Sequence, residues 1–192
     1  MSILPIYTYG QPVLRKRARA IRQVDDDIRR LIDDMFETMH TAGGIGLAAN
    51  QVGKLARVIV VDISEMEEIK EKPEGSPGKS PIAMVNPLVL SEEGSWEMEE
   101  GCLSIPEVRD DVERAETIRV RYKDFDMNDV EMDASGLLAR VVLHEIDHLN
   151  GVLFIDHLTK VKQKLLRGRL NKVRKGEFEV AYPFVSELVE SK

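Results

Sequence analysis

The chain has 192 residues, 43% of them hydrophobic and 32% charged, with a net charge of −7. That is enough chain for a real core and a globular balance, which excludes a disordered protein. No apolar run approaches the roughly 20 residues of a spanning helix, so no membrane partner is expected. The start, Met1-Ser-Ile-Leu-Pro, carries no signal-peptide pattern. The single cysteine, Cys102, cannot close an internal disulfide. A cytoplasmic location is therefore expected, with the thiol free to act as a ligand. The acidic balance argues against nonspecific wrapping of nucleic acid, and no specific DNA partner is expected.

From Asp25 to His40, Ile28, Leu31, Ile32, Met35, Phe36 and Met39 fall at helical spacing on one face. Asp25 suits the N-cap, and Gly43-Gly44 end the helix. Arg57-Val-Ile-Val-Val-Asp62 is short, apolar and β-branched, a buried strand. Residues 64–80 are charged and rich in Pro and Gly, which predicts an exposed loop between strands. Ala83–Leu90 and Ser95–Met98 follow as strands. Thr117–Tyr122 alternates, so it is a strand with one wet face, and Val130–Asp133 is expected as another. A second helix starts near Ser135 and ends at Asn150-Gly151. A third covers the basic segment 158–175, where eight Lys or Arg from Lys160 to Lys175 stand with no acid. No repeat or interdomain linker is visible, so residues 1–192 are expected to form one domain. Its class is α+β, with antiparallel or mixed sheets around the second helix.

That helix carries the chemistry. His144-Glu145-Ile146-Asp147-His148 fits H-E-x-x-H. Residues four apart on a helix share a face, so both imidazoles can reach one ion. Glu145 can then sit over the ion's open side and take a proton from water. Asp147 is expected in a supporting role beside the ligands. A third protein ligand is needed. A downstream histidine would make a metzincin, but His157 lacks the intervening pattern. A distant Glu would make a thermolysin-like site. Cys102, in Glu100-Gly-Cys-Leu-Ser104, is also available. A lone cysteine is more often a small buried hydrophobe, and composition alone does not decide between these.

Gly44-Ile-Gly-Leu-Ala-Ala-Asn-Gln51, Glu100-Gly-Cys-Leu-Ser104 and His144-Glu-Ile-Asp-His148 occur in this order. Together they resemble the peptide deformylase family, over about Leu4 to Lys175. That family removes the formyl group from the N-terminal methionine of new polypeptides. The first segment also fits a loose dinucleotide fingerprint, but it follows a helix and precedes a strand, the reverse of what that fold requires.

The resemblance implies Cys102, His144 and His148 as metal ligands, Glu145 as acid and base, and Fe2+ as the native ion. Zn2+, Ni2+ or Co2+ are expected to substitute, and a ferrous thiolate site should be oxygen-sensitive. It implies N-formylmethionyl nascent peptides as substrates and formate as a product. The Gln51 amide and the Leu103 N–H would meet the developing oxyanion. Gly46 would let the substrate backbone approach. Ile45 and Val141 would line a methionine pocket, and Leu137 fits either that pocket or plain packing. Arg109 matches a position near the substrate backbone, or is a solvated surface residue. One departure stands out: Leu143 occupies the place before His144 where the family often has Gln.

The basic helix over 158–175 reads either as a solvated helix with an inward apolar stripe or as a docking face for ribosomal RNA. Two rival functions fit parts of the same pattern. A zinc endopeptidase would need another third ligand, and a structural zinc module would need four protein ligands and no Glu145.

Overall fold

Residues 2–66 and 81–189 are described in a computed structural model of the chain. Most of the loop expected over residues 64–80 lies outside the described residues. The elements in chain order are β1 (Ile6–Tyr7), α1 (Asp26–Thr41), β2 (Gly46–Ala48), β3 (Val58–Val61), β4 (Ile82–Glu93) and β5 (Trp96–Cys102). They continue with β6 (Ile105–Arg114), β7 (Thr117–Lys123), β8 (Asp129–Ser135), α2 (Gly136–Leu149), α3 (Lys160–Lys175) and β9 (Phe184–Val185).

Asp25 caps α1 as its position predicts, its carboxylate accepting from the Ile28 N–H at 3.0 Å. Ile32, Met35 and Met39 bury the apolar face, and the chain leaves the helix through Gly43 at φ 66°. Five strands form one antiparallel sheet in the order β2-β3-β4-β7-β8. In β3, Val58 and Val60 pack with Ile32, Met35 and Met39 of α1. Ile59 and Val61 pack on the other face, with Val142, Leu143 and Ile146 of α2. Burial on both faces is why this strand is a continuous apolar run. Strand β7 alternates as predicted, with Ile118 and Val120 inward and Arg119 and Arg121 exposed.

Strands β5 and β6 form a separate antiparallel hairpin. Leu166, Leu170 and Val173 of α3 pack against Ile105, Val108 and Val112 of β6. The third helix begins two residues later than the sequence suggests, because Thr159 is its cap and Leu158 is core. Helix α2 lies between the large sheet and the hairpin, and ten of its fourteen residues are buried, so it is a central helix. The expected α+β class is the one observed. The first and last strands meet, because β1 pairs in parallel with β9, Ile6 opposite Phe184.

Strand β6 escapes the sequence pattern for a physical reason. After Glu107, at φ 61°, its inward positions are Val108, Asp110, Val112 and Arg114. Two of the four carry charge, so the alternation is masked.

Asn86 interrupts β4 at φ 53°, a left-handed conformation that Asn tolerates better than most residues. Its side chain accepts from the Ile21 N–H at 2.8 Å and donates to the Ile21 carbonyl at 2.7 Å. Asn86→Ala loses both bonds and keeps the strained backbone, and should cost about 2–4 kcal/mol in urea unfolding. Asn86→Gly should cost about 1 kcal/mol less, because glycine adopts that φ without penalty.

Candidate metal centre

Cys102, His144 and His148 converge. One ligand-capable atom from each lies within 4.8 Å of the others, and the Cys102 Sγ is 3.2 Å from His148 Nε2. Each element contributes for a local reason. The two histidines stand one turn apart on the same face of α2. Cys102 ends β5, where the register with β6 shifts between Gly101 and Cys102. Such a bulge re-aims a side chain, here towards the helix.

Glu100 sits two residues before Cys102 and is 6% exposed. Its Oε2 lies 2.9 Å from His144 Nδ1, and its Oε1 accepts from Arg114 Nε at 2.6 Å and from Arg140 Nη1. Arg114 also donates to Asp147 Oδ2 at 2.8 Å, and His157 reaches the same oxygen. Burial raises the Glu100 carboxyl, but the bonds from His144 and Arg114 outweigh it and hold it down to about 2. Two carboxylates thus face two guanidiniums, and a buried cluster of balanced charge avoids the full desolvation penalty. A His144 Nδ1–H given to Glu100 leaves the His144 Nε2 lone pair for a cation. Burial opposes charge on His144, yet the neighbouring Cys102 and Glu100 favour it, and the balance lies towards positive charge. Those same neighbours favour a metal ion. Burial, then the charge on His144, keeps His148 neutral.

Glu145 is 4% exposed, and its Oε2 has no hydrogen-bond partner among the described residues. Burial pushes its carboxyl up to about 7, with Glu100 and Asp147 adding to the effect and His144 and Arg114 opposing it. Its other oxygen lies against Gly46, where an added Cβ would come within 2.5 Å of Oε1 and 2.7 Å of Val141 Cγ1. Glycine at this position is a steric requirement of the site.

A cleft of about 530 Å³ opens beside these groups. Of the residues expected in the site, Ile45, Gly46, Gln51, Cys102, Leu103, Arg109, Val141, His144 and Glu145 line it, as does Leu137. His148 lies deeper, 1% exposed. Gln51 is buried, and its Oε1 accepts from the Ala48 N–H at 2.8 Å. That bond sets which way the amide faces: Nε2 points at Cys102 Sγ, 3.5 Å away, and at Ser104 Oγ, 3.2 Å away. Arg109 has a largely exposed side chain, 3.8 Å from Glu99.

The structure also brings in residues that sequence reasoning missed. Arg140 stands one turn before His144 on a buried helix, a signal of a buried ion pair that motif reading passes over. Arg114 hides in β6. Tyr182 lines the cleft from the far end of the chain. His157 bonds to Asp147 and stays outside the metal-capable group. Arg114→Leu would leave Asp147 short of a buried partner and remove two of the bonds to Glu100. The loss should destabilise the fold by about 3–5 kcal/mol, read from the urea midpoint; a change under 1 kcal/mol would refute the account of the cluster.

Comparison with known proteins bears directly on this geometry. A family model described as polypeptide deformylase matches residues 3–164. The chain is 48% identical over 187 residues to a peptide deformylase of Salinibacter ruber, covering 96% of this chain and 95% of that protein. It is 50% identical over 181 residues to one of Alkalilimnicola ehrlichii, covering 94% and 96%. The crystal structure of peptide deformylase from Ehrlichia chaffeensis superposes with a TM-score of 0.83 at 39% identity, covering 92% of this chain and 97% of that one. Sequence along nearly the whole length and the path of the backbone lead to one conclusion: the chain belongs to the polypeptide deformylase family.

Proposed function

We propose that this cleft is the active site of a metal-dependent hydrolase that removes the N-formyl group from N-terminal formylmethionine and releases formate. The carrying observation is the approach of Cys102, His144 and His148 to within 4.8 Å of one another, beside a Glu145 oxygen that has no partner among the described residues.

The donor set suits a divalent ion of the first transition row, since a thiolate and two imidazoles accept Zn2+ and softer metals alike. Three protein donors leave a coordination position open, as catalytic rather than structural sites do. Fe2+ is the native ion in this reading, with Zn2+, Ni2+ and Co2+ able to occupy the same ligands. A bound ion supplies Lewis acidity, polarising a carbonyl oxygen and making water acidic enough to ionise near a pKa of about 7.

The chain's own groups do the rest. Glu145, poised near neutrality, takes the proton from attacking water and delivers it to the departing amine. Gln51 gives one N–H to Ser104, and its second, which faces the Cys102 sulfur, is offered to the oxygen that gains charge. The Leu103 backbone N–H is the other donor, and one such donor is worth about 2.7–4 kcal/mol of barrier. Gly46 admits the substrate backbone. Ile45, Val141 and Leu137 form the wall against which the methionine side chain packs. Arg109, largely exposed at the edge of the cleft, meets the peptide backbone of the substrate.

No helix among the described residues is long and apolar enough to cross a membrane. A cytoplasmic enzyme acting on nascent chains fits the charge of α3. Lys164, Arg167 and Lys172 are exposed there and make no ion pair among the described residues, so they are available to an anionic partner such as ribosomal RNA.

Formate release from formyl-Met-Ala-Ser by anaerobically purified protein tests the main reading. Glu145→Gln should retain bound metal while turnover falls about 10²–10⁴-fold. An active Glu145→Gln protein, or cleavage of an internal peptide bond in place of formate release, would overturn it. Changing Lys164, Arg167 and Lys172 to Glu should weaken cosedimentation with ribosomes. Sedimentation that stays unchanged and insensitive to salt would count against that docking face.

A further inference from the structure

We propose that Tyr182, carried on the C-terminal strap, is a positioning residue that holds the turn bearing Cys102 and Leu103 in its working geometry. The inference rests on the deformylase reading of that turn.

The turn links β5 to β6, and its two tip residues are Leu103 and Ser104. Remote parts of the chain hold both tip carbonyls. The Tyr182 hydroxyl donates to the Leu103 carbonyl at 2.8 Å. The Tyr9 N–H donates to the Ser104 carbonyl at 2.8 Å. Gln51 holds the Ser104 hydroxyl from a third side. A short turn held at each carbonyl cannot rock, so the Leu103 N–H and the Cys102 sulfur keep a fixed direction. That matters because an oxyanion donor works only while it is aimed where charge develops.

The strap that brings Tyr182 there is itself fastened. The chain turns at Gly176, φ 78°, directly after α3. The Phe178 and Phe184 rings lie 4.5 Å apart, centre to centre. The Ile6 N–H donates to the Pro183 carbonyl and the Thr8 N–H to the Val185 carbonyl, both at 2.9 Å. Gln11 Nε2 donates to the Ser186 carbonyl at 2.6 Å. Tyr182 and Tyr9 therefore reach the turn from neighbouring, mutually paired segments. Tyr182 is 9% exposed, and burial, with the nearby Cys102 charge, raises its phenol above the ordinary range. It stays protonated and remains a donor. It also lies beyond the stretch matched by the family model, which ends at residue 164.

Tyr182→Phe keeps the ring and removes only the hydroxyl. Its kcat for formate release should fall roughly fivefold, the size of one neutral hydrogen bond, with KM and bound metal unchanged. Hydrogen–deuterium exchange of the peptide containing Leu103 and Ser104 should quicken, while exchange in α1 and β3 stays as in the wild type. Wild-type kcat together with unchanged exchange would overturn the proposal. So would a rise in KM with unchanged exchange, which would make Tyr182 only a wall of the cleft. A wild-type protein that releases no formate would sink the deformylase reading, and the exchange measurement would then decide the clamp by itself.

Discussion

Glu100 is the constraint around which the site is built. One buried carboxylate joins β5, β6 and α2, through Arg114, Arg140 and His144. Left unpaired, such a charge would cost several kcal/mol, which is comparable to the whole net stability of a domain. The fold is therefore stable only when hairpin and helix meet in one register. That same register brings Cys102 of the hairpin to the two imidazoles of the helix. The stability of the cluster and the assembly of the metal-capable group are one event.

The cluster also separates two carboxylates by environment. Glu100 is surrounded by donors and stays ionised. Glu145, about as well buried, has one oxygen without a partner among the described residues, and burial pushes its carboxyl up to about 7. Neighbouring acids pushed apart in this way take different tasks, one holding a ligand and the other moving a proton. Gly46 belongs to the same arrangement, since only a residue without Cβ leaves room for the Glu145 carboxylate next to Val141.

Around this centre the chain closes on itself. The parallel pairing of β1 with β9 joins the first strand to the last, and from it Tyr9 and Tyr182 reach the turn between β5 and β6. Non-local contacts of this kind bear the entropy of closing a long loop and form late in folding. The geometry of the turn thus depends on segments far from it in sequence.

Much of this was legible in the residues alone. The apolar period of α1 and its Asp25 cap, the β-branched run of β3 and the alternation of β7 are local patterns, and each element formed where its pattern lies. The spacing of His144 and His148 on one helical face was equally local, and the order of the three motifs pointed to the family. What the residues could not decide was which charges would be buried together. Arg114 and Arg140 lie 14 and 40 positions from Glu100, and Tyr182 lies 79 from Leu103. Periodicity reports which face of an element is apolar, because burial along one helix or strand repeats at the period of that element. It says nothing about which distant polar group will arrive opposite, since hydrogen bonding is satisfied only once the elements have packed. The sequence by itself determined the elements with a clear local period and the chemical candidates; packing decided the masked strand β6, the partners of Glu100, the direction of Gln51 and the hold on the Leu103 turn.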